Sequence, residues 1–346
     1  MDADQRLISV VNPRLISGID MIIGHHRQIQ YLERVLAKGT LAHAYLFFGS
    51  EGVGKKATAL ECAKSLICRN KTAPKFGGCG ECDDCRRIEM LSHPDLIFLS
   101  LEHLLVEEEN KREIGIKNIH ELQRLLGLSA WGGGWRTAVI DGAERLSHDG
   151  QAALLKILEE PGARITFFLI TTAPGALLAT IRSRAVPIAF STLTDETMLP
   201  LLEDIPASRR ALLLELARGR PGILQKFAQD RKFLERFGAD YAVFKRLLGA
   251  DLADQFAFSE RESREPGRLE AWCDFLLYHM RGELHAAVER GAPGNSVLPR
   301  ERVAGLHAFI AALLNSSLLL ATTPVNRRLL ADSLFFELYT LGPSVT

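Results

Sequence analysis

The chain has 346 residues, more than one ordinary core of about 100 to 200 residues holds, so a single small module is excluded and two or three domains are expected. Its 42 basic and 42 acidic residues cancel, which excludes a strongly basic nucleic-acid wrapper and an acidic tail protein but leaves room for a local DNA-contacting patch. With 47% apolar and 24% charged residues, the composition is that of a packed protein and not of a disordered one.

In chain order, Met1 to Arg14 lacks the basic start, unbroken apolar core and small-residue cleavage site of a secretory leader, so a cytoplasmic location is expected. Short apolar runs at 44–48, 95–99, 137–141, 165–171 and 186–190 read as five strands, with helix-length segments between them. Strands joined by helices pair in parallel, because a parallel neighbour needs a crossover of about a dozen residues or more. Residues 1–191 are therefore expected to form a covered α/β domain on a five-stranded parallel sheet.

Directly after the first strand comes Gly49-Ser50-Glu51-Gly52-Val53-Gly54-Lys55, the G-x-x-x-x-G-K spacing, followed by a helical run from Lys56 to Ile67. Gly49, Gly52 and Gly54 let backbone N–H groups turn inward around phosphate oxygens, and the helix N-terminus and Lys55 add positive charge. The position after Lys55 needs a Ser or Thr hydroxyl to hold Mg²⁺, but it is Lys56, and a cation cannot ligate a cation. Whether nucleotide binds is left open, since Lys56 can pair with a phosphate or obstruct it.

The partner of such a loop is a carboxylate pair ending an apolar strand. Ala138-Val139-Ile140-Asp141 supplies the first carboxylate, yet Gly142 stands where the second belongs, and Glu144 compensates only if the chain turns unusually. Two parts of the phosphoryl-transfer machinery are missing, so Mg²⁺ binding is not expected and little or no intrinsic hydrolysis is predicted.

Cys68, Cys79, Cys82 and Cys85 fall within 18 positions, in a loop rich in Gly and Pro between the first helix and the second strand. Four thiolates close a tetrahedron around Zn²⁺ and leave no position open to water, so the zinc insertion at 68–85 is expected to be structural. An iron-sulfur cluster is the weaker reading, because the ferredoxin run of a further Cys and Pro is absent, and disulfides are disfavoured in a reducing compartment. Cys62 and Cys273 lie in helical patterns as core thiols.

After Phe190 strand signals stop. Leu193 to Phe227 reads as short helices broken at Pro200, Pro206 and Gly219–Gly222, a small helical lid assigned to 192–232. Residues 233–346 read as a third, helical domain, with a polar stretch at 259–267 and a turn at 291–299. Its last helices, near 303–320 and 325–341, carry broad apolar faces that suit either an intramolecular bundle or a surface shared with partner subunits. The apolar run 308–320 is broken by Asn315, Ser316 and Ser317 and is too short to span a bilayer, which needs about 20 residues. Arg209, Arg210, Arg218, Arg220, Lys226, Arg231 and Lys232 are interleaved with Glu215 and Asp230, and read as a mixed solvated face before a DNA-binding one.

Taken together, Ile23-Gly24-His25, Leu41-Ala42-His43-Ala44-Tyr45-Leu46-Phe47, the phosphate loop, the four-cysteine insertion, the run Ala153 to Pro161 and Ile181-Arg182-Ser183-Arg184 resemble the clamp-loader branch of AAA+ proteins. The resemblance covers nearly the whole chain. It implies an AAA+ P-loop domain, a helical lid and a C-terminal helical collar that oligomerises. It also implies a hetero-pentamer with gamma/tau-type and delta-type subunits, which loads a sliding clamp onto primer-template DNA for DNA polymerase III. In that ring each ATP is completed by an arginine from the next subunit. The resemblance places this trans arginine at Arg184, where Ala185 replaces the family's usual cysteine, with Arg182 as the nearby competitor. It places Thr171 and Thr172 where a polar group senses the γ-phosphate, and Gly222 where active members carry a further arginine. The function implied is a non-hydrolysing stator subunit. The alternatives are an ATP-hydrolysing motor subunit of the same assembly and a self-contained nucleotide-kinase-like P-loop enzyme, for which no acceptor site is evident.

Overall fold

A computed structural model describes residues 22–70, 76–101, 104, 113–131, 134–203, 205–264, 267–290, 300–322 and 325–341. They divide into two compact units: one runs to Leu201 and takes back Gly219–Gly222, and the other holds Leu202–Arg218 and everything from Ile223 onward. The stretch expected as a lid is thus divided between the two units.

In the first unit the elements alternate: α1 (His26–Lys38), β1 (Ala44–Gly49), α2 (Lys55–Ile67), α3 (Asp83–Glu89), β2 (Leu96–Ser100), α4 (Ile116–Leu126), β3 (Arg136–Asp141), α5 (His148–Glu159), β4 (Ile165–Thr171), α6 (Ala179–Arg184) and β5 (Val186–Phe190). The five strands form one parallel sheet in the order β2-β3-β4-β1-β5. This is the covered five-stranded parallel α/β core that the sequence led one to expect, with its strand positions reproduced to within a residue or two.

The register explains why the central strands are apolar throughout. Successive side chains on a strand point to opposite faces, and a parallel sheet buries both. On one face, Ala44, Leu46, Ala138, Ile140, Phe167 and Leu169 pack against Ile119, Leu122, Leu154, Leu158 and Ile181 of α4, α5 and α6. On the other, Tyr45, Phe47, Val139, Phe168 and Ile170 pack against Leu32, Ala59, Leu60 and Ala63 of α1 and α2. Tyr45 and Phe168 stack with ring centroids 5.6 Å apart, and Phe47 lies 5.3 Å from Phe168 and 5.1 Å from Phe190. The two-sided core holds the C-terminal ends of β1, β3 and β4 in fixed register, and the candidate site is built on those ends.

In the second unit are α8 (Ala207–Ala217), α10 (Arg231–Leu248), α11 (Leu252–Arg264), α12 (Arg268–Arg290), α13 (Arg300–Thr322) and α14 (Arg327–Leu341); α7 (Asp195–Met198) precedes the boundary and α9 (Pro221–Gln229) straddles it. The first part of the polar stretch, from Ser259 to Arg264, belongs to α11, with Ser259, Glu262 and Ser263 buried inside the bundle. There Glu262 accepts a hydrogen bond from Arg268 Nε at 2.5 Å, and Arg268 also reaches Asp240 at 3.2 Å. Trp272, Phe258 and Phe335 form an aromatic centre for α11, α12 and α14. The turn expected at 291–299 lies outside the described residues. No helix among the described residues is long and apolar enough to cross a membrane.

Candidate functional site

β1 delivers the chain into the glycine loop, and the backbone there is of a kind only glycine adopts readily. Gly49, Gly52 and Gly54 have φ of 141°, 77° and 109°. A Cβ on Gly49 would lie 1.9 Å from the Phe190 carbonyl oxygen of β5. The loop is clamped from two sides: His25 Nε2 lies 2.9 Å from the Val53 carbonyl, and Gly222 N–H donates to the Gly52 carbonyl at 2.8 Å. Gly54 caps the N-terminus of α2, whose first residue is Lys55.

Lys55 is buried and its ammonium donates to the carbonyls of Gly49 at 2.7 Å and Ser50 at 2.6 Å. Burial lowers its pKa to about 8, opposed by the charges of Asp141, Glu144 and Glu51. The Ser50 hydroxyl is buried in the same loop without a hydrogen-bond partner.

Lys56, the next residue, has a half-exposed side chain. Its ammonium sits 4.0 Å from Asp141 Oδ2 at the end of β3, and 4.5 Å from the centre of the Phe98 ring. The one carboxylate that a divalent ion requires is therefore already facing an ammonium, so the residues present do not fit Mg²⁺.

Gly142 has φ 77° and ψ 47°, and from it the chain enters a short 3₁₀ turn, Ala143–Arg145. That turn brings in Glu144, which the sequence admitted only on an unusual turn of the chain. Glu144 Oε1 accepts a hydrogen bond from Thr172 Oγ1 at 2.7 Å and from Thr172 N–H at 3.3 Å. Burial pushes the Glu144 pKa up, but the hydrogen bonds from Thr172 and Thr171 and its own backbone outweigh it, and the net shift is downward. The unusual turn does occur, and the signal for it was Gly142 itself, which permits the left-handed step. Thr171 Oγ1 accepts from Ala173 N–H at 3.0 Å and shapes the turn after β4, so of the two threonines Thr172 holds Glu144 most closely.

The structure thus gathers Gly49, Gly52, Gly54, Lys55, Lys56, Asp141, Glu144 and Thr172 around the ends of β1, β3 and β4. Arg184 is elsewhere, at the C-terminal end of α6, where Nη2 donates to Glu159 Oε1 at 2.8 Å and Nη1 to the Thr180 carbonyl at 3.1 Å. Its side chain stays 36% exposed, so it is held but accessible.

Three of the arginines read as a mixed solvated face are engaged within the fold. Arg218 pairs with the buried Glu283, Arg220 is buried, and Arg210 donates to the Ile205 and Glu203 carbonyls. The side chains of Arg209 and Arg231 lie outside the described residues.

The four cysteines do converge. The Sγ atoms of Cys68, Cys79, Cys82 and Cys85 all lie within 4.8 Å of one another, with separations of 3.7 Å (68 to 79), 3.7 Å (68 to 82) and 3.9 Å (79 to 85). A tetrahedron of thiolates with Zn–S near 2.3 Å has edges of roughly 3.8 Å, so the cluster fits a zinc-sized ion, whereas a disulfide requires about 2.05 Å. Gly78, at φ 68°, makes room: a Cβ there would lie 2.9 Å from Cys85 Sγ. The module is bolted to its surroundings by Asp84, which takes a bidentate pair from Arg69 (2.9 and 2.8 Å), and by buried Lys64 of α2, which donates to Glu89 of α3 at 2.7 Å and to Glu61 at 2.8 Å. Cys62 and Cys273 are buried core thiols, as expected.

Residues 24–194 match the family model described as DNA polymerase III, delta subunit. Among curated proteins, the DNA polymerase III subunit delta' of Pseudomonas aeruginosa is 31% identical over 247 residues, 70% of this chain and 73% of the relative. Subunit delta' of Escherichia coli is 28% identical over 321 residues, 88% of this chain and 91% of the relative. Subunit tau of Salmonella typhimurium is 34% identical over 184 residues, 53% of this chain but only 27% of that longer protein.

Proposed function

Because the chain belongs to the clamp-loader family of DNA polymerase III subunits, we propose that it acts within that assembly as a delta'-type, non-hydrolysing subunit that lends Arg184 to a neighbour's ATP site. The observation that carries this reading is the Lys56–Asp141 pair, which puts an ammonium against the carboxylate that Mg²⁺ needs. The position of the second carboxylate, Gly142, supports it as well.

Arg184 suits work in trans because its guanidinium is permanently charged, planar and accessible. Its present partner, Glu159, is a surface carboxylate, and such pairs contribute about 0.2 to 1 kcal/mol, so exchanging it for a phosphate oxygen costs little. The neighbours in this reading are gamma/tau-type and delta-type subunits of a hetero-pentamer, acting on a sliding clamp and primer-template DNA. Exposed apolar side chains on the last two helices, Leu314, Leu319, Phe336 and Tyr339, favour a surface shared between subunits over a closed bundle. Zn²⁺ in the cysteine cluster has a structural role, with all four positions taken by protein.

Reconstituted assembly carrying Arg184→Ala tests the reading. Loss of an arginine finger is expected to slow the adjoining site by roughly 10³-fold or more. Unchanged DNA-stimulated ATP hydrolysis would eliminate the trans role, and brisk hydrolysis by the isolated wild-type chain would eliminate the silent site. The motor-subunit reading draws on Glu144 alone, a carboxylate near the loop that could orient water, but it still lacks a metal-binding hydroxyl.

A further inference from the structure

Lys56 does more than spoil a metal site. The loop before it keeps the build of an anion-binding cradle: three glycines in left-handed conformations, the N-terminus of the thirteen-residue helix α2, and Lys55 beneath them. A second observation points to a ligand independently. The Ser50 side chain is more than nine-tenths buried within the loop, yet its hydroxyl has no hydrogen-bond partner, and buried hydroxyls without partners are costly and uncommon.

A phosphate arriving at this loop faces an electrostatic obstacle in Asp141. Elsewhere a divalent ion sits between such a carboxylate and the phosphate oxygens and neutralises both. Here the space beside Asp141 holds an ammonium on a tether, steadied by the Phe98 ring. A covalently attached cation is always present, whereas Mg²⁺ must be captured from solution and would have to displace it.

We propose that the phosphate loop binds a nucleoside polyphosphate as the metal-free anion, with Lys56 as the built-in countercharge between phosphate and Asp141, and that it disfavours the Mg²⁺-chelated form. Lys55 exchanges its bonds to the Gly49 and Ser50 carbonyls for phosphate oxygens, and the Ser50 hydroxyl becomes a donor to the ligand. No bond of the nucleotide is broken. The inference rests on the silent-site reading above and adds to it what the site retains.

The test is equilibrium binding of N-methylanthraniloyl-ADP to the full chain, followed by fluorescence, in EDTA and in excess Mg²⁺, for wild type, Lys56→Thr and Lys56→Gln. Thermal melts verify folding, and the 46% exposure of the Lys56 side chain favours tolerance of both changes. Wild type is expected to bind in EDTA and to bind no tighter in Mg²⁺. Lys56→Thr is expected to reverse this, gaining about tenfold in affinity when Mg²⁺ is added. Lys56→Gln, with neither charge nor a suitable hydroxyl, should weaken binding in both conditions.

Absence of wild-type binding in both conditions overturns the proposal, as does tightening by Mg²⁺ or an unaltered metal response in Lys56→Thr. Phosphate release from ATP, measured on the same preparations, keeps the two readings apart. Mg²⁺-dependent turnover defeats the silent site, while metal-tightened binding without turnover defeats only the metal-free inference.

Discussion

Removing the metal from the cysteine cluster should cost a definite and moderate amount of stability. The ligands close an 18-residue loop from Cys68 to Cys85. Treated as a cross-link on the unfolded chain, a loop of that length is worth about 3 kcal/mol. The true figure is tempered because the module has other anchors, the Arg69–Asp84 pair and Lys64 between Glu61 and Glu89, which remain when the ion leaves. In a domain of this size 1 kcal/mol shifts the midpoint by about 2 to 4 °C, so chelation is expected to lower Tm by roughly 6 to 12 °C. The assay pairs metal release, quantified with a chromogenic chelator, with calorimetric melts before and after, and Cys82→Ser should reproduce the shift. Amide exchange supplies a local readout, because Cys82 N–H points at Cys79 Sγ at 3.4 Å and should lose protection first. A purified chain that contains no stoichiometric metal, or one whose melting and exchange ignore chelation, would refute the reasoning.

Two further outcomes follow from the loop. The Lys55 pKa is lowered from 10.5 to about 8 in the folded chain, so between those values the unfolded chain binds more protons and stability rises with pH. Burying the charged form therefore costs about 3 kcal/mol at most at neutral pH, and the stability of wild type relative to Lys55→Met should climb as pH is raised from 8 towards 10; a flat difference would show that the lysine is not strained by burial. Rebuilding the missing parts should also fail to restore an engine: Lys56→Thr with Gly142→Glu is expected to leave the isolated chain without ATP turnover. Steady-state phosphate release from that double variant, at a rate ordinary for such enzymes, on the order of 1 per second or more, would contradict this.

Much of this architecture was legible because its signals are local. The five strands could be placed to within a residue or two, since runs such as Ala44–Phe48 and Ile165–Thr171 are apolar on both faces and bounded by breakers, the pattern a doubly covered strand must have. The cysteine cluster was legible from spacing alone. Strand order was not, because it depends on pairing between segments over a hundred residues apart, such as Ala44 with Phe167. Glu144 was undervalued for a related reason: its role depends on one left-handed residue that redirects the chain. The burial of the polar stretch from Ser259 was not legible, because groups in it are satisfied by partners remote in sequence, as when Ser259 donates to Asp332 at 2.5 Å. Tertiary partners, not local propensity, decide that burial.

The silence proposed for the nucleotide site is not a matter of two side chains. Gly142 occupies the left-handed region, where an L-residue is strained by about 1 to 2 kcal/mol, so a glutamate there would either bear that strain or pull the 3₁₀ turn, and Glu144 with it, out of place. Gly222 is closed off more firmly: a Cβ would lie 2.9 Å from the Gly52 carbonyl oxygen and 3.1 Å from its Cα, against backbone that cannot give way without moving the loop. The arginine that the resemblance implies at this position in active members thus has no room here while Gly222 N–H holds the Gly52 carbonyl. The hydrogen bond that excludes it also fixes the loop. In the stator role proposed above that exchange is a gain, because a loop tied down by its own backbone holds its shape without having to cycle with hydrolysis.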